Sequence, residues 1–266
     1  MAPDPDRLRV RLIQIRERPA VLAEEAESFR ARTALRPDQW VTTNALRDPL
    51  AEDLLDDVDA IMIGGAGAYS VTQTYGWTQA LVDVCHACAD RELPLFGSCW
   101  GHQFIGRAFG GRVVHDPGRS EMGTHEVQLT DAGAADPLFS TLPASFGTQM
   151  GHQDRVAVLP DGAVELARND RAPYQAFRLA GLPIYGTQFH SELDAETERQ
   201  RLVAYRAHYP EMEDDGTFDR VLGALTDTPD ADDLLRRFLV LYAVEDGAER
   251  LAQAAPKNSP ATLSDQ

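Results

Sequence analysis

One cysteine, Cys99, stands between two glycines where the chain is expected to change from strand to helix. The apolar run that ends at Phe96 predicts a short strand, and the apolar spacing from Phe104 onward predicts a helix. Gly97 and Gly101 remove the side chains that would collide where the strand and the helix approach each other. The pattern Gly-Ser-Cys-Trp-Gly is therefore typical of a nucleophile elbow, with a thiol in place of the usual serine hydroxyl.

The expected position of Cys99 suits nucleophilic chemistry. A thiol at a helix N-terminus faces unpaired backbone N–H groups and the positive end of the helix dipole, and both favour the thiolate. The alternative is a buried structural cysteine, which is the usual fate of a lone cysteine. The two flanking glycines favour the functional interpretation but do not by themselves identify a reaction.

A base for this nucleophile is predicted after a later strand. Residues 182–189 form the apolar run, and His190 and Glu192 follow it directly. A cysteine nucleophile needs a base that takes its proton, and the base needs a third group that fixes its orientation. His102 is the main rival because it lies about one helical turn beyond Cys99, but no acid stands beside it at a strand end. We therefore expect His190 to be the base and Glu192 to orient it.

A glycine-rich loop follows an earlier apolar strand at residues 59–63. Gly64 and Gly65 belong neither to a Gly-x-Gly-x-x-Gly pattern nor to a P-loop, so a phosphate site is disfavoured. The alternative is a loop whose backbone N–H groups point at a developing oxyanion beside the elbow. We favour this second interpretation.

Two further cysteines, Cys85 and Cys88, flank His86 on an amphipathic helix predicted over residues 74–91. Two thiols and a histidine could in principle ligate a metal, but no second cysteine pair is present. Both cysteines fall on or beside the apolar face of the helix. We expect core packing for them, and neither a metal nor another cofactor in the protein.

Composition restricts the possible partners. Among 266 residues, 42 are acidic and 25 are basic, giving a formal net charge of −17. This charge repels phosphate backbones and anionic membrane surfaces, so we expect no nucleic-acid partner and no membrane contact. No stretch approaches the ~20 apolar residues of a membrane span, and no secretory signal is visible. Three cysteines, an odd number, suit a reducing compartment, and we expect a cytoplasmic protein.

The order of predicted elements indicates the fold class. Strands and helices alternate through the first hundred residues, short strands dominate residues 112–189, and helices follow. Such alternation favours an α/β protein in which helices cover both faces of a parallel sheet and ligands collect at the C-terminal strand ends. The last helix is predicted to start with Thr228 as N-cap and Pro229 at its first position, and to bury an apolar face. That face comprises Leu235, Phe238, Leu239 and Tyr242.

Two segments resemble the class I (triad) glutamine amidotransferases. They are Phe-Gly-Ser-Cys-Trp-Gly-His-Gln at residues 96–103 and Tyr-Gly-Thr-Gln-Phe-His-Ser-Glu at residues 185–192. Gly64 and Gly65 fall where that family has its oxyanion glycines, and residues 151–154 fall where it has a Ser-His-x-Asp segment. The resemblance covers about residues 7–195. Within the family, the sequence most resembles stand-alone relatives of the amidotransferase domain of GMP synthetase.

This resemblance implies a role for each matching residue. Cys99 would be the nucleophile, His190 the general acid and base, and Glu192 the residue that orients the histidine. The backbone N–H groups of Gly65 and Trp100 would form the oxyanion hole. The substrate-binding residues would be Gly64, Gln103, Gly151 and His152. The implied fold is flavodoxin-like, a mostly parallel sheet sandwiched by helices, here with a C-terminal helical extension.

Several positions depart from the family pattern. Ser191 replaces the usual proline between the histidine and the glutamate, Gly151 stands where serine is common, and Ala66 replaces a proline. Residues 120–123 lack the arginine and tyrosine expected of a true GMP synthetase domain. The triad stays intact, but the choice between free glutamine and another γ-glutamyl compound stays open.

We expect an amidotransferase domain over residues 1–195, a helical extension over 196–252 and a disordered tail over 253–266. No synthetase domain with a phosphate-binding loop is recognised after residue 195. Three functions remain open. The protein could hydrolyse glutamine and hand ammonia to a separate synthetase subunit, it could be a stand-alone γ-glutamyl hydrolase or peptidase, or it could be a non-catalytic regulatory protein. The first is favoured narrowly over the second, and the intact triad disfavours the third.

Overall fold

The computed structural model describes residues 7–244, and in them eleven strands and seven α-helices are arranged along the chain. The strands are β1 Val10–Gln14, β2 Trp40–Asn44, β3 Ala60–Ile63, β4 Leu95–Ser98, β5 Arg112–His115, β6 Glu121–Leu129, β7 Ser145–His152, β8 Asp154–Val158, β9 Ala163–Arg168, β10 Ala176–Leu179 and β11 Ile184–Thr187. The helices are α1 Pro19–Thr33, α2 Thr78–Asp90, α3 Trp100–Ala108, α4 Asp131–Ala134, α5 Ala195–Tyr205, α6 Asp215–Gly223 and α7 Leu234–Ala243.

Nine of these strands form one sheet in the order β2-β1-β3-β4-β11-β10-β9-β6-β7. The first five pair in parallel, so their C-terminal ends meet at one edge. The remaining four continue the sheet in antiparallel pairs, and β5 and β8 pair separately. The predicted α/β fold with a parallel sheet at its centre is confirmed.

Four of the five parallel strands, β1, β3, β4 and β11, are buried along their whole length, as expected for a sheet covered on both faces, whereas the edge strand β2 is only partly buried. Successive side chains alternate between two apolar clusters. Met62 and Phe96 belong to one cluster, whereas Ile61 and Ile63 belong to the other. The second cluster also contains both cysteines of α2, which confirms their predicted role in core packing.

The last helix packs into the first of these clusters. Phe238 of α7 lies with its ring 5.2 Å from the ring of Phe96 on β4. Segments from both sides of residue 195 therefore share one core. The apolar face of α7 was correctly predicted, but its start was wrong. Thr228 makes no side-chain cap hydrogen bond, Pro229–Ala231 is a separate 3-10 turn, and α7 begins only at Leu234.

One long strand, β7, was not predicted, and β6 begins at Glu121 rather than at residue 126. Interior glycines and buried polar residues weaken the apolar alternation that marks a strand in the sequence. Among residues 7–244, the structure contains no helix with the length and apolarity needed to span a membrane. The tail predicted over 253–266 and the end of the predicted helical extension lie outside the described residues.

Candidate active site

Cys99 occupies a sharp turn between β4 and α3. Its backbone angles, φ 50° and ψ −98°, lie in a region that non-glycine residues seldom adopt, and a strained residue of this kind is typical of a functional site. The neighbouring glycines permit the turn because nothing larger fits. A Cβ at Gly97 would lie 2.4 Å from the backbone of Gly101, and a Cβ at Gly101 would lie 2.3 Å from the carbonyl oxygen of Ile63.

The parallel register brings the histidine to the cysteine. Ser98 at the end of β4 pairs with Thr187 at the end of β11, and the N–H of Cys99 donates to the Thr187 carbonyl at 2.8 Å. His190 follows three residues later, where its N–H donates to Gln149 of β7 at 2.9 Å. The C-terminal ends of two adjacent strands therefore hold the thiol and the imidazole side by side.

The imidazole of His190 stands between two partners. Its Nδ1 lies 2.6 Å from Oε1 of Glu192, and Cys99 is its electrostatic neighbour on the other side. Both glutamate oxygens have further contacts. Ser98 Oγ donates to Oε2 at 2.8 Å, and the Arg201 guanidinium lies 3.5 Å from Oε1. Cys99, His190 and Glu192 thus form a continuous buried row.

The electrostatics of this row favour a cationic His190 beside an anionic Glu192. Burial opposes the cationic form of His190, but the Coulombic influence of Glu192 and of Cys99 outweighs it and raises the pKa of the imidazole to about 10. Burial likewise opposes ionisation of Glu192, yet His190 and Arg201 lower the pKa of that carboxyl to about 2. The cationic form of the imidazole is therefore favoured beside the carboxylate.

The rival histidine has a packing role. His102 is fully buried, its ring lies 4.8 Å from that of Phe177, and burial lowers its pKa to about 3. It also packs against Gly186 of β11, where an added Cβ would meet it at 2.9 Å. His102 does not line the cavity beside Cys99.

A cavity of about 180 Å³ opens over Cys99. Its walls come from the loop after β3, from the start of α3, from the β7–β8 turn and from the segment after α5. The lining residues are Ala66, Gly67, Ala68, Tyr69, Ser70, Cys99, Trp100, Gln103, His115, Gly151, His152, Gln153, Asp154, His208 and Tyr209. Four of the residues singled out in the sequence, Trp100, Gln103, Gly151 and His152, therefore lie in the wall beside the cysteine.

The two glycines predicted to help form the oxyanion hole contact a buried ion pair and not the cavity. Gly64 and Gly65 do not line the cavity, and the N–H of Gly65 donates to Oε1 of Glu25 at 3.1 Å. Glu25 on α1 is fully buried and pairs with the Arg16 guanidinium at 2.8 Å. A Cβ at Gly64 would meet the Glu25 carboxylate at 2.8 Å, so the glycines make room for this ion pair. In this conformation the Gly65 N–H is already engaged.

The predicted substrate-binding side chains are tied to the protein. Gln103 donates to the Asp154 carbonyl at 2.6 Å and to Gln188 Oε1 at 3.1 Å. His152 is buried, with one ring nitrogen 3.0 Å from the Asp154 carbonyl and the other 3.1 Å from Glu121. These contacts fix the β7–β8 turn against α3 and so shape the cavity wall.

Sequence reasoning missed several residues of this site. Gln188 places its amide nitrogen 3.8 Å from Cys99 Sγ. Tyr209, from the segment after α5, lines the cavity and directs its hydroxyl to the Gly151 carbonyl at 3.4 Å. Arg201 of α5 lies against Glu192. Helix α5 gave one usable signal, a 3–4 spacing of its buried residues, but two of these, Glu198 and Arg201, are charged types that usually face solvent.

The structure combines an α/β fold with a cysteine at a strained strand-to-helix turn and an adjacent histidine and glutamate. The chain belongs to the class-I glutamine amidotransferase family, whose model matches residues 24–208. Over 102 residues it is 40% identical to a subunit of the glutamine-hydrolyzing GMP synthase of Methanopyrus kandleri. These aligned residues make up 38% of this chain and 53% of that protein. The match thus spans about half of the length of that relative.

Two further comparisons extend the coverage. Over 156 residues the chain is 30% identical to the corresponding GMP synthase subunit of Archaeoglobus fulgidus. These aligned residues make up 59% of this chain and 78% of that protein. The crystal structure of a glutamine amido transferase from Methylobacillus flagellatus superposes with a TM-score of 0.66 at 19% identity, covering 89% of this chain and 96% of that one. The latter similarity supports the fold, including part of the helical extension.

Proposed function

We propose that the protein hydrolyses the side-chain amide of glutamine through a γ-glutamyl thioester on Cys99 and releases ammonia for a separate partner. The observation that supports this proposal is that His190, 2.6 Å from Glu192, follows the strand whose end pairs with the strand end that carries Cys99. A base held in this way can take the thiol proton and later return it to the leaving group.

In the first step, Cys99 Sγ attacks the amide carbon of the substrate. The thiol proton passes to His190, whose orientation Glu192 fixes, and a positioned base of this kind contributes ~100-fold or more. The intermediate collapses when the carbon–nitrogen bond breaks, its electron pair goes to nitrogen and His190 returns the proton. In the second step, His190 takes a proton from water, the hydroxide attacks the thioester, and glutamate leaves from Cys99.

The negative oxygen of each tetrahedral intermediate needs a hydrogen-bond donor, and one such donor is worth ~3 kcal/mol. The backbone N–H of Trp100, at the first position of α3, remains our proposed donor. Gly65 would act as the second donor only if its N–H exchanged the Glu25 carboxylate for the oxyanion. The site therefore starts from a conformation in which at most one of the two proposed donors serves the substrate.

Use of the ammonia by another protein rests on the relatives. Two of them are named as one subunit of a glutamine-hydrolyzing GMP synthase, which indicates that those proteins work with another polypeptide. We extend this arrangement to the present chain as part of the proposal. The competing function, hydrolysis of other γ-glutamyl amides by the same thioester route, differs in its substrate and needs no acceptor.

The test offers the purified protein free glutamine and a panel of γ-glutamyl amides, and follows release of glutamate and ammonia. Cys99→Ser serves as the control for thiol chemistry. Turnover of glutamine that is lost in the variant supports the proposal. Turnover of other γ-glutamyl amides alone would replace it with the hydrolase function. No turnover of any substrate would indicate either a site that a partner activates or a misplaced triad, and would favour the non-catalytic function.

A further inference from the structure

The wall of the cavity over Cys99 contains histidines but, among the described residues that line it, neither lysine nor arginine. A γ-glutamyl substrate carries an α-carboxylate at the end opposite to the amide that reacts. A carboxylate forms its strongest hydrogen bonds with cationic donors. In this wall, such a donor can come only from a histidine side chain.

The three histidines of the wall differ in their contacts. His152 is buried, and both of its ring nitrogens already have partners. His208 is exposed, and within residues 7–244 no carboxylate pairs with it. His115, at the end of β5, has 52% of its side chain exposed, and its Nδ1 lies 2.8 Å from Oδ1 of Asp154. His115 is therefore the wall histidine that combines an accessible ring with a carboxylate partner.

Asp154 holds the ring of His115 in a defined orientation. The two residues lie opposite each other in the β5–β8 pair. The Asp154 side chain is only 9% exposed, and its second oxygen accepts hydrogen bonds from Ser70 Oγ and from the N–H of Val71. Because Nδ1 of His115 donates to this fixed carboxylate, the ring presents Nε2 on its other side. In the part of the chain that the structure describes, Nε2 has no hydrogen-bond partner.

We propose that His115 binds the α-carboxylate of the substrate through Nε2, while Asp154 stabilises the positive charge of the ring. This inference rests on the proposed function, but it applies equally to glutamine and to other γ-glutamyl amides, because all of them carry this carboxylate. It also defines a substrate class. The site would select compounds with a free α-carboxylate over glutamine residues within peptides, whose α-carboxyl group is part of a peptide bond.

The test compares glutamine with its α-amide, which keeps the reacting γ-amide but replaces the α-carboxylate by a neutral carboxamide. In His115→Gln we expect kcat/KM for glutamine to fall about 10-fold, chiefly through KM, because binding is weakened equally in the ground and transition states. On the α-amide the variant should stay within about 2-fold of the wild type, since the contact is already missing there. His86→Gln, which changes an exposed histidine outside the cavity, is the matched control and should change neither activity.

A third substrate separates the two groups at the α end. 4-Carbamoylbutanoate keeps the carboxylate but lacks the amine, so His115→Gln should lower kcat/KM for it about as much as for glutamine. If instead its kcat/KM is insensitive to the substitution, His115 serves the amine and the inference is overturned. An equal loss on glutamine and on its α-amide, or no loss on either, would overturn it as well.

A binding measurement keeps this test separate from the test of the proposed function. In the Cys99→Ser background, calorimetry should show that His115→Gln weakens glutamine binding about 10-fold and leaves binding of the α-amide unchanged within about 2-fold. This result without turnover by the wild type would support the inference and count against the proposed function alone. Turnover of glutamine by the wild type, with binding that does not depend on His115, would overturn the inference and leave the proposed function intact.

Discussion

Nδ1 of His190 and Oε1 of Glu192 are 2.6 Å apart although only one residue separates them along the chain. That residue, Ser191, stands where the family usually has proline, yet the turn still delivers the carboxylate to the imidazole. Contacts on the carboxylate explain why. Ser98 and Arg201 each approach one of its oxygens, so the orientation of Glu192 depends on its partners as well as on the backbone of the turn.

This arrangement predicts the effect of Glu192→Gln. The amide keeps the size of the side chain but can no longer stabilise a protonated imidazole, and it can hold the ring in the wrong tautomer. We expect kcat on the substrate that the wild type hydrolyses to fall by about 10³- to 10⁴-fold, with little change in KM. Steady-state kinetics check this. A loss of less than about 10-fold would show that Glu192 does not orient the base.

The elbow predicts a sharp difference between two glycine substitutions. In Gly101→Ala the new methyl group would lie 2.3 Å from the Ile63 carbonyl oxygen, so either α3 or β3 must shift. We expect the free energy of unfolding to fall by about 1–3 kcal/mol or more. Gly76→Ala is the matched control, because a Cβ there meets nothing within 4 Å. Urea unfolding of both variants measures the difference, and equal stabilities would refute the packing account of the elbow.

The sequence was informative where backbone geometry demands particular residues. The glycines around Cys99 predicted strand, turn and helix, because a strand and a helix can approach so closely only without side chains between them. His190 could be predicted for a related reason. In a parallel sheet the functional side chains gather at the C-terminal strand ends, and β4 and β11 are neighbours in register.

The other parts of the site could not be predicted from the sequence, because they depend on contacts between segments that are distant along the chain. Glu198 and Tyr205 lie on the buried face of α5, but charged and polar types in a helix usually indicate a solvent-facing side. Glu25 lies on α1, 40 residues from the glycine whose N–H it accepts. No local pattern reveals such a pairing. The occupied N–H of Gly65 could therefore not be foreseen, although the residue itself was singled out.

The buried ion pair of Arg16 and Glu25 predicts that the free energy of unfolding depends strongly on the presence of both partners. Arg16 has 2% and Glu25 0% of its side chain exposed. Glu25→Ala would leave a buried guanidinium without its carboxylate, which we expect to lower the free energy of unfolding by about 3–5 kcal/mol. The double variant Arg16→Met with Glu25→Leu should lose clearly less, because no unpaired charge remains. Urea unfolding tests both, and a double variant as unstable as Glu25→Ala would show that packing rather than charge dominates.

The buried carboxyl of Glu198 predicts how stability changes with pH. Burial raises its pKa from 4.5 to about 7, with His190 and Arg201 opposing that rise and Glu192 and Glu24 adding to it. The folded state then holds this proton more tightly than the unfolded state does. The contribution of Glu198 to stability is therefore fully present below pH 4.5, declines as the pH rises toward 7, and is lost above it.

A glutamine at this position cannot titrate, so Glu198→Gln should remove that decline. Relative to the wild type, we expect the variant to gain up to about 3 kcal/mol in unfolding free energy between pH 4.5 and pH 8. Urea unfolding at a series of pH values measures this, with Glu196→Gln as the control that should follow the wild-type curve. If the curves of Glu198→Gln and the wild type run parallel, the pKa of the carboxyl is not raised above 4.5 in the folded state, which would refute this prediction.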